Sequence, residues 1–216
     1  MVRQARSEVT RQKIIDAAVE LFTDVGYDAT SLGDIIDRVE VTKGAFYYHF
    51  DSKESLAQAI VADGATALTG AFAGITSAPA PALENIIHGV FVVADLVRAD
   101  KLAGTAVRLS RALGELSEAS SQAYNVLLQA FSAQTAKAQE QGDLRDSLDP
   151  LTVSEFIFAA VLGVELLSNA TSEGTDLIGR LTHAWEVLLP AIANPETLPY
   201  FREYLSRESM RHAKPS

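Results

Sequence analysis

The chain of 216 residues contains no cysteine, which excludes a disulfide framework and any metal site built on thiolates. Little apolar alternation and no Asn-Gly hairpin signal occur, so few strands are expected. The N-terminus, MVRQARSEVTRQK, has no apolar run behind it and is not expected to be a signal peptide. The longest apolar stretches, 86–97 and 156–167, are interrupted by polar or charged residues, so we expect buried helices, no membrane partner and a cytoplasmic location.

A basic excess is also missing. Lys and Arg total 18 against 28 Asp and Glu, giving a net charge of −10, whereas a DNA-binding domain is expected to carry a basic footprint. No Ser/His/Asp spacing, phosphate loop or pair of catalytic carboxylates stands out, so the chain is not expected to be an enzyme or to bind a cofactor. The four histidines lie in separate segments. The single i, i+4 pair of Glu84 and His88 is weak, so no metal site is expected.

Helical periodicity dominates what is present. Apolar residues from Ile14 to Val25 predict a first helix that Gly26 stops. The breaker SAPAPA at 77–82 separates a long helix that Ser52 caps from the later ones. Those later helices are expected near 82–99, 102–115, 118–141, 150–171 and 175–192, with a last amphipathic piece near 196–208. The predicted fold class is therefore all-α.

The segment 31–50, SLGDIIDRVEVTKGAFYYHF, predicts two short helices joined by a tight turn. Ser31 is a good N-cap with Asp34 three residues later, and Thr42 can cap the second helix. Phe46 and Phe50 are expected on its inner face. Its outer face is expected to show a cation, a glycine, two phenols and an imidazole: Lys43, Gly44, Tyr47, Tyr48 and His49. This layout is typical of a helix-turn-helix, whose second helix enters the DNA major groove.

The predicted DNA contacts divide by chemistry. Lys43 can reach guanine O6 and N7, and Gly44 lets the backbone approach the duplex. Tyr47, Tyr48 and His49 can donate to phosphates. Further predicted contacts are two tail arginines, two N-cap residues and one lysine of the following helix: Arg3, Arg6, Ser31, Thr42 and Lys53. An ordinary amphipathic helix with a polar surface is the alternative interpretation of the same residues.

The motif TSLGDII…VTKGAFYYHFDSKESL resembles the DNA-binding signature of the TetR family of bacterial repressors, from about residue 10 to about residue 56. VRQARSEVTR, VRADKLAGTAVRLS and GDLRDSLD resemble one branch of it, the γ-butyrolactone autoregulator receptors of actinobacteria. The chain departs from the family at Glu40, where glycine is frequent, and at Phe46, where a smaller aliphatic residue is commoner. The lactone receptors typically place a tryptophan in the pocket, but the single tryptophan here is Trp185, in a late helix.

The resemblance implies an all-helical homodimer with a three-helix DNA-binding domain at 1–51 and a larger ligand-binding and dimerisation domain at 52–216. The central helices carry a mixture suited to a pocket, although each residue could equally fill a solid core. The candidate ligand residues are Phe91, Asp95, Leu102, Arg108, Tyr124, Leu127, Leu128 and Phe131. The candidate dimer residues are Phe158, Leu162, Trp185 and Leu188, although a monomer core would look similar.

These observations lead to one hypothesis and one alternative. The first is a ligand-responsive regulator, most simply a repressor, that binds a palindromic double-stranded DNA operator as a homodimer. A small apolar effector such as an acyl or lactone molecule releases it. The alternative is a helical small-molecule-binding protein without operator binding, which the acidic charge and Glu40 favour. The sequence does not specify the ligand, the operator, the regulated genes or the direction of regulation.

Overall fold

The computed structural model describes residues 2–77, 79–113 and 118–212, with the backbone alone for residues 2–6. Within this part of the chain, ten α-helices form the structure, and one isolated bridge joins Leu144 to Ala193. The predicted all-α class is confirmed. The helices are α1 (Val2–Asp24), α2 (Leu32–Val39), α3 (Lys43–Tyr47), α4 (Lys53–Thr76), α5 (Ala82–Ala99), α6 (Lys101–Ala112), α7 (Glu118–Glu140), α8 (Pro150–Ser172), α9 (Leu177–Ile192) and α10 (Leu198–His212).

Local hydrogen bonds begin and end the helices of the predicted motif. Ser31 and Asp34 form a reciprocal capping box at the start of α2, and the Thr42 hydroxyl caps α3, as the sequence predicted. Glu40 ends α2 in the left-handed region at φ 58° and ψ 38°. Gly26, after α1, has φ 95°, a conformation that glycine adopts without steric cost. The turn geometry is therefore helix-turn-helix-like, with a glutamate at its strained position.

The chain divides into two compact units, and the first contains Met1–Ala67 and Ala99–Tyr124. Its core joins apolar residues of α1 to α4 with two residues of α6: Ile14, Ile15, Ala18, Val19, Leu21, Phe22, Ile35, Ile36, Phe46, Phe50, Leu56, Ala57, Ile60, Val61, Ala106 and Leu109. The packing of α6 is tight, since a Cβ on Gly64 would lie 2.2 Å from the Cβ of Ala106. The boundary predicted after residue 51 is functional and stays a prediction, because compactness does not test it.

The second unit contains Leu68–Arg98 and Asn125–Ser216. Its core includes Leu83, Ile86, Val90 and Phe91 of α5 and Leu181, Trp185, Leu188 and Leu189 of α9. Asp176 precedes α9 and accepts hydrogen bonds from the hydroxyls of Ser168 and Ser172 and from Arg180. The Ser168 and Ser172 bonds, followed by those of Arg180, lower the pKa of Asp176 to about 2. This carboxylate therefore ties the end of α8 to the start of α9.

By length and composition alone, α4 and α8 could cross a membrane. Their contacts give a different explanation for part of this apolar surface. Leu56 and Ile60 of α4 pack into the first core, and Val153 and Ile157 of α8 pack into the second. Two such helices are weak evidence for a membrane protein, because core helices pass the same test.

Candidate nucleic-acid interface and effector-binding residues

The short helix α3 is held to the first core from one side only. The backbone N–H of Ala45 donates to the Thr42 hydroxyl at 3.1 Å, and the ring of Phe46 is fully buried, as predicted. Lys43 and Gly44 lie on the exposed side of the helix. Since Thr42 acts as an acceptor in its cap, its hydroxyl proton can still be donated to a phosphate. The helix is therefore rigidly placed with its polar residues facing outward.

Two exposed tyrosines follow Gly44. The exposed fractions are 51% for Tyr47 and 77% for Tyr48, large values for aromatic side chains. The half-buried ring of His49 meets the ring of Tyr48 edge-on, with centroids 5.0 Å apart. Phenol hydroxyls at such positions can donate to phosphates while their rings contact sugars or base edges. This surface has the composition of a binding face.

Gly44 is not required by the packing of the protein. Apart from its chain neighbours and the backbone of its own helix, no atom of the described chain lies within 4 Å of the position that a Cβ on Gly44 would occupy. A glycine also lowers the helix propensity of so short a helix. The open space beside Gly44 is therefore available to an approaching molecule, which is the role that the sequence predicted for it.

Ser31 and Lys53 have structural partners that the sequence did not reveal. The Ser31 hydroxyl donates to Asp34 at 2.7 Å, and this bond lowers the pKa of Asp34. The Lys53 ammonium donates to the carbonyls of Tyr27 and Thr30, each at 2.9 Å, and lies 4.3 Å from the centre of the Tyr27 ring. A phosphate contact by Ser31 would require its hydroxyl to leave Asp34. Lys53 keeps one N–H for such a contact.

The two arginines assigned to the tail contact, Arg3 and Arg6, belong to α1 by their backbone. Their side chains lie outside the described residues, so their role in DNA binding stays a prediction.

Aromatic rings fill the part of the second unit that contains most of the predicted effector residues. Phe131 stacks on Phe72 with centroids 4.6 Å apart and contacts Phe158 at 5.9 Å. A Cβ on Gly89 would lie 2.5 Å from the Phe72 ring, so a glycine is needed beneath it. Leu127 and Leu128, which precede Phe131 on α7, are half-buried. This group is apolar enough to hold a hydrocarbon ligand.

The two remaining predicted residues of this unit contact a histidine. Phe91 is buried and stacks on the ring of His212, and the Asp95 carboxylate accepts a hydrogen bond from that ring. Asp95 also pairs with Arg98 at 3.4 Å. The Asp95 carboxylate therefore contacts His212 and Arg98 of the protein itself, whereas the sequence suggested that it would contact a ligand.

Three predicted effector residues belong instead to the first unit. Leu102 packs against its core. Arg108 donates to the hydroxyls of Thr23 at 3.2 Å and Thr105 at 3.0 Å. The Tyr124 hydroxyl bonds that of Ser110 at 3.1 Å. The helical pattern could not show that the predicted set divides between two units.

A further residue on α7, Gln134, could not be found from the sequence. Its side-chain oxygen is buried without a hydrogen-bond partner among the described residues. Gln134 lies three residues after Phe131 and seven after Leu127, so the three share one helical face. An unsatisfied buried acceptor costs about 1–3 kcal/mol, which a donor on a ligand can recover. No pattern of apolar residues could have indicated this glutamine.

A cleft of about 480 Å³ in each unit has a different lining from the predicted effector set. The cleft of the first unit is lined by Leu21, Val25, Thr30, Asp34, Asp37 and Arg38. That of the second is lined by Thr182, Glu186, Arg202, Leu205, Ser206, Ser209 and Met210. Most residues that line each cleft are polar or charged, and none of them belongs to the predicted effector set.

The predicted dimer residues differ in their exposure. Trp185 and Leu188 are buried within one chain, at 1% and 7% exposed, so little of either side chain can meet a partner. Phe158 and Leu162 are half-buried. Their assignment to the interface stays a prediction, because the same apolar spacing serves a core and an interface. Four of the large apolar residues that α8 and α9 expose are Phe156, Leu166, Leu167 and Val187, which we call the α8/α9 patch.

Two histidines that lie in separate segments of the sequence are close together in the structure. His88 on α5 and His212 on α10 have ring centroids 5.9 Å apart, with the buried carboxylate of Glu208 beside them. The sequence could not show this proximity, because 120 residues separate His88 of α5 from Glu208 of α10. The Glu84 carboxylate, which the sequence paired with His88, accepts a hydrogen bond from Tyr200 instead.

Comparison with known proteins shows that the chain is similar to bacterial transcriptional regulators. The family model for "Bacterial regulatory proteins, tetR family" matches residues 14–60. The A-factor receptor protein of Streptomyces griseus is 30% identical over 202 residues, covering 94% of this chain and 70% of that protein. The biofilm operon icaADBC negative transcriptional regulator IcaR of Staphylococcus aureus (strain Newman) is 52% identical over 46 residues, which are 21% of this chain and 25% of IcaR.

Solved structures share the fold over nearly the whole chain. A crystal structure of a γ-butyrolactone receptor (ArpA-like protein) has a TM-score of 0.76 at 23% identity and covers 96% of this chain and 99% of its own. Full-length TylP, a tetR regulator from Streptomyces fradiae, has a TM-score of 0.69 at 29% identity and covers 94% of this chain and 96% of its own. CprB from Streptomyces coelicolor, in complex with its operator sequence, has a TM-score of 0.75 at 24% identity, covering 95% of this chain and 99% of its own.

Proposed function

The chain belongs to the TetR family of bacterial regulatory proteins and is a ligand-responsive transcriptional regulator, and we propose that it represses transcription as a homodimer on a palindromic operator. A small apolar effector releases it from the DNA. The one observation that carries the DNA-binding proposal is the outward face of α3, where Lys43, Gly44, Tyr47 and Tyr48 are exposed on a helix anchored by Phe46. The relatives are regulators and not enzymes, and a cytoplasmic site of action follows from this function.

On this proposal, α3 enters the major groove and Lys43 contacts base edges. Tyr47, Tyr48 and the Thr42 hydroxyl donate to phosphates and fix the helix in register. The acidic net charge does not prevent this, because the contacts are local and the exposed acids can face away from the duplex. CprB, a protein of the same fold, has been solved bound to its operator, which supports the proposal by analogy.

The experiment compares binding of wild-type protein and Lys43→Ala to the DNA that flanks the protein's own gene. Lys43→Ala should lose about 1–3 kcal/mol of specific affinity, since one base contact is removed. Lys101→Ala is the matched control, because Lys101 is also an exposed lysine at the start of a helix but lies in α6. If Lys43→Ala lowers only nonspecific binding, Lys43 is a phosphate contact and the assignment is wrong.

The α8/α9 patch supports the proposed homodimer. Phe156 is 62% exposed and Val187 is 76% exposed, and Leu166 and Leu167 of α8 are 50% and 53% exposed. Exposed apolar groups of this size are typical of protein interfaces. A second copy of the chain is the proposed occupant, because a palindromic operator requires a two-fold symmetric reader.

Sedimentation of the wild-type protein at micromolar concentration should give twice the mass of one chain. Val187→Asp should shift the protein toward the monomer by burying a charge at the contact. Met210→Asp is the matched control, because Met210 is 61% exposed but lies on α10. A wild-type monomer, or dissociation caused equally by both variants, would contradict the assignment of this surface.

The effector is proposed to bind near the rings of Phe72 and Phe131. It would lie against the side of α7 that carries Leu127, Leu128 and Gln134. The surroundings favour a mostly hydrocarbon molecule, and the unpartnered Gln134 oxygen favours a polar head with a hydrogen-bond donor. The relatives include receptors for A-factor and for γ-butyrolactones, which agrees with a lactone or acyl class. Trp185 is buried in the core of one chain, so this pocket uses phenylalanines in its place.

An effector can release DNA only if it binds the two states of the regulator with different affinities. Moving the population from 1:99 to 99:1 needs about 5.5 kcal/mol of preference. Leu128→Trp should weaken release by a known inducer while leaving operator affinity intact. Val126→Trp, an exposed position on the same helix, should behave like the wild type. If both variants respond to the inducer as the parent does, Leu128 does not line the site.

A helical small-molecule-binding protein without operator binding is the second candidate. Glu40 favours it, because this residue places a negative charge in the turn before α3. The two candidates differ in one result: the second predicts inducer binding with no sequence-specific binding to any duplex.

A further inference from the structure

We propose that His88, Glu208 and His212 bind a divalent transition-metal ion, for which Zn²⁺ is the best fit, inside the second unit. The three side chains offer Nδ1 of His88, Oε2 of Glu208 and Nε2 of His212, and their ligand atoms all lie within 4.8 Å of one another. Two imidazoles and one carboxylate are a donor set that zinc uses with water as the fourth ligand.

The buried His212 ring is already oriented for metal binding. Its Nδ1 is hydrogen-bonded to the Asp95 carboxylate, which fixes the tautomer with the proton on Nδ1 and the lone pair on Nε2. That Nε2 is buried and has no hydrogen-bond partner among the described residues, and only 8% of the side chain is exposed. A carboxylate behind a histidine is the usual outer-shell arrangement at zinc sites. The unpartnered nitrogen therefore faces inward toward Glu208, as a ligand atom would.

Glu208 is held with one oxygen turned toward the two rings. Oε1 pairs with Arg211 at 2.7 Å, whereas Oε2 lies 2.6 Å from Nδ1 of His88 and 3.4 Å from Nε2 of His212. One proton lies between Glu208 and His88, and it has to leave Nδ1 when the ion takes its place, while the neutral ring carries its proton on Nε2. Glu208 is almost fully buried, and an ion at Oε2 would add to the charge compensation that Arg211 supplies at Oε1.

One of the three separations between these atoms matches what the ion requires, and all three are within 4.8 Å. Tetrahedral Zn²⁺ with bonds of about 2.0–2.1 Å separates its ligand atoms by roughly 3.3 Å. The 3.4 Å separation of Glu208 from His212 fits this value, and the 2.6 Å separation from His88 has to widen by rotation of a partly exposed ring. Because the chain has no cysteine, the site favours ions that accept nitrogen and oxygen ligands.

Such an ion would join α5 to α10. His88 lies in the middle of α5, and Glu208 and His212 are one turn apart near the end of α10. The ion would fix the last helix of the described chain to the helix that carries Phe91, independently of operator binding. The site thus goes beyond the proposed function and does not depend on it.

The test uses full-length protein stripped of metal by a chelator and then titrated with Co²⁺ or Zn²⁺ alone. One Co²⁺ per chain should bind with the intense visible absorption of a tetrahedral ion, and Zn²⁺ should displace it and raise Tm. Asp95→Asn should weaken Zn²⁺ binding by about 10–100-fold, since it removes an outer-shell partner. His88→Ala and His212→Gln should weaken it further and abolish the tetrahedral spectrum.

His183→Ala is the matched control, because His183 is an exposed histidine on α9 of the same unit. It should leave stoichiometry, spectrum and affinity unchanged. Circular dichroism of the metal-free variants separates loss of the site from loss of folding. Asp95→Asn tests the site without removing any of the three ligands. The proposal is overturned if folded wild-type protein gives no tetrahedral spectrum, or if folded His88→Ala and His212→Gln bind the ion as the wild type does.

Discussion

Glu40→Gly should stabilise the protein, because the backbone of Glu40 has a left-handed conformation that glycine adopts more easily than other residues. Its φ of 58° and ψ of 38° lie in the left-handed region, where a Cβ costs roughly 1–2 kcal/mol. The cost arises at the turn between α2 and α3, so it bears on the part of the molecule that positions the reading helix.

The expected gain in the free energy of unfolding is smaller than the cost of the left-handed conformation. Glycine raises the conformational entropy of the unfolded chain, which offsets roughly 0.4–1 kcal/mol. The net stabilisation is therefore about 0.5–1 kcal/mol. For a chain of this size, 1 kcal/mol corresponds to roughly 2–4 °C, so Tm should rise by about 1–4 °C.

Thermal unfolding followed by circular dichroism measures the change, with Glu40→Gln as the control. Glutamine removes the same charge but keeps the Cβ, so it should give a Tm close to that of the wild type. Both variants should tighten DNA binding equally, because both remove one negative charge near α3. If Glu40→Gly is no more stable than Glu40→Gln, the left-handed strain is not a cost here and the reasoning is refuted.

Three further predictions concern pH, packing and salt. Because the pKa of Asp176 is lowered to about 2, its stabilising contribution is full above the ordinary value of 3.8 and is lost as pH falls through 2. Tm of Asp176→Asn measured from pH 5 to pH 2 should therefore fall less steeply than that of the wild type. Gly64→Ala should lower the free energy of unfolding, measured in urea, by about 1–3 kcal/mol, because the new Cβ would lie 2.2 Å from the Cβ of Ala106. Gly70→Ala is the control: its Cβ would have no such neighbour within 4 Å, so the free energy of unfolding should not fall in this way. Log K for operator DNA should fall against log salt with a slope of about −7 if Arg3, Arg6, Lys43 and Lys53 of both chains all contact phosphates. The slope should be about −5 if Lys43 contacts base edges as proposed, and about −4 if Lys53 also keeps to its carbonyls. A slope near zero would refute this set of contacts.

Much of the fold could be predicted because local rules decide it. Ser31, Thr42 and Gly26 act through hydrogen bonds and dihedral angles set by neighbouring residues, and the sequence contains that information. The resemblance to the TetR family and its γ-butyrolactone receptor branch is confirmed by the comparisons. Glu40, which stands where glycine is frequent in the family, adopts the left-handed conformation that glycine favours.

The parts that could not be predicted depend on contacts between distant segments. Trp185 has the same helical spacing whether it meets its own core or a partner, so its burial had to be seen. The ammonium of Lys53 reaches carbonyls more than twenty residues away. His88 and His212 meet only because α5 and α10 pack together, which no local pattern of residues records.

Selection from a pool of random DNA duplexes by the full-length protein tests the central claim most directly. We predict enrichment of an inverted repeat whose half-sites are read by two copies of α3, bound by two chains per duplex. Lys43→Ala, folded to the same extent, should fail to enrich that repeat. Recovery of no common sequence by the wild-type protein, under conditions where it is folded and dimeric, would contradict the claim that the chain reads an operator.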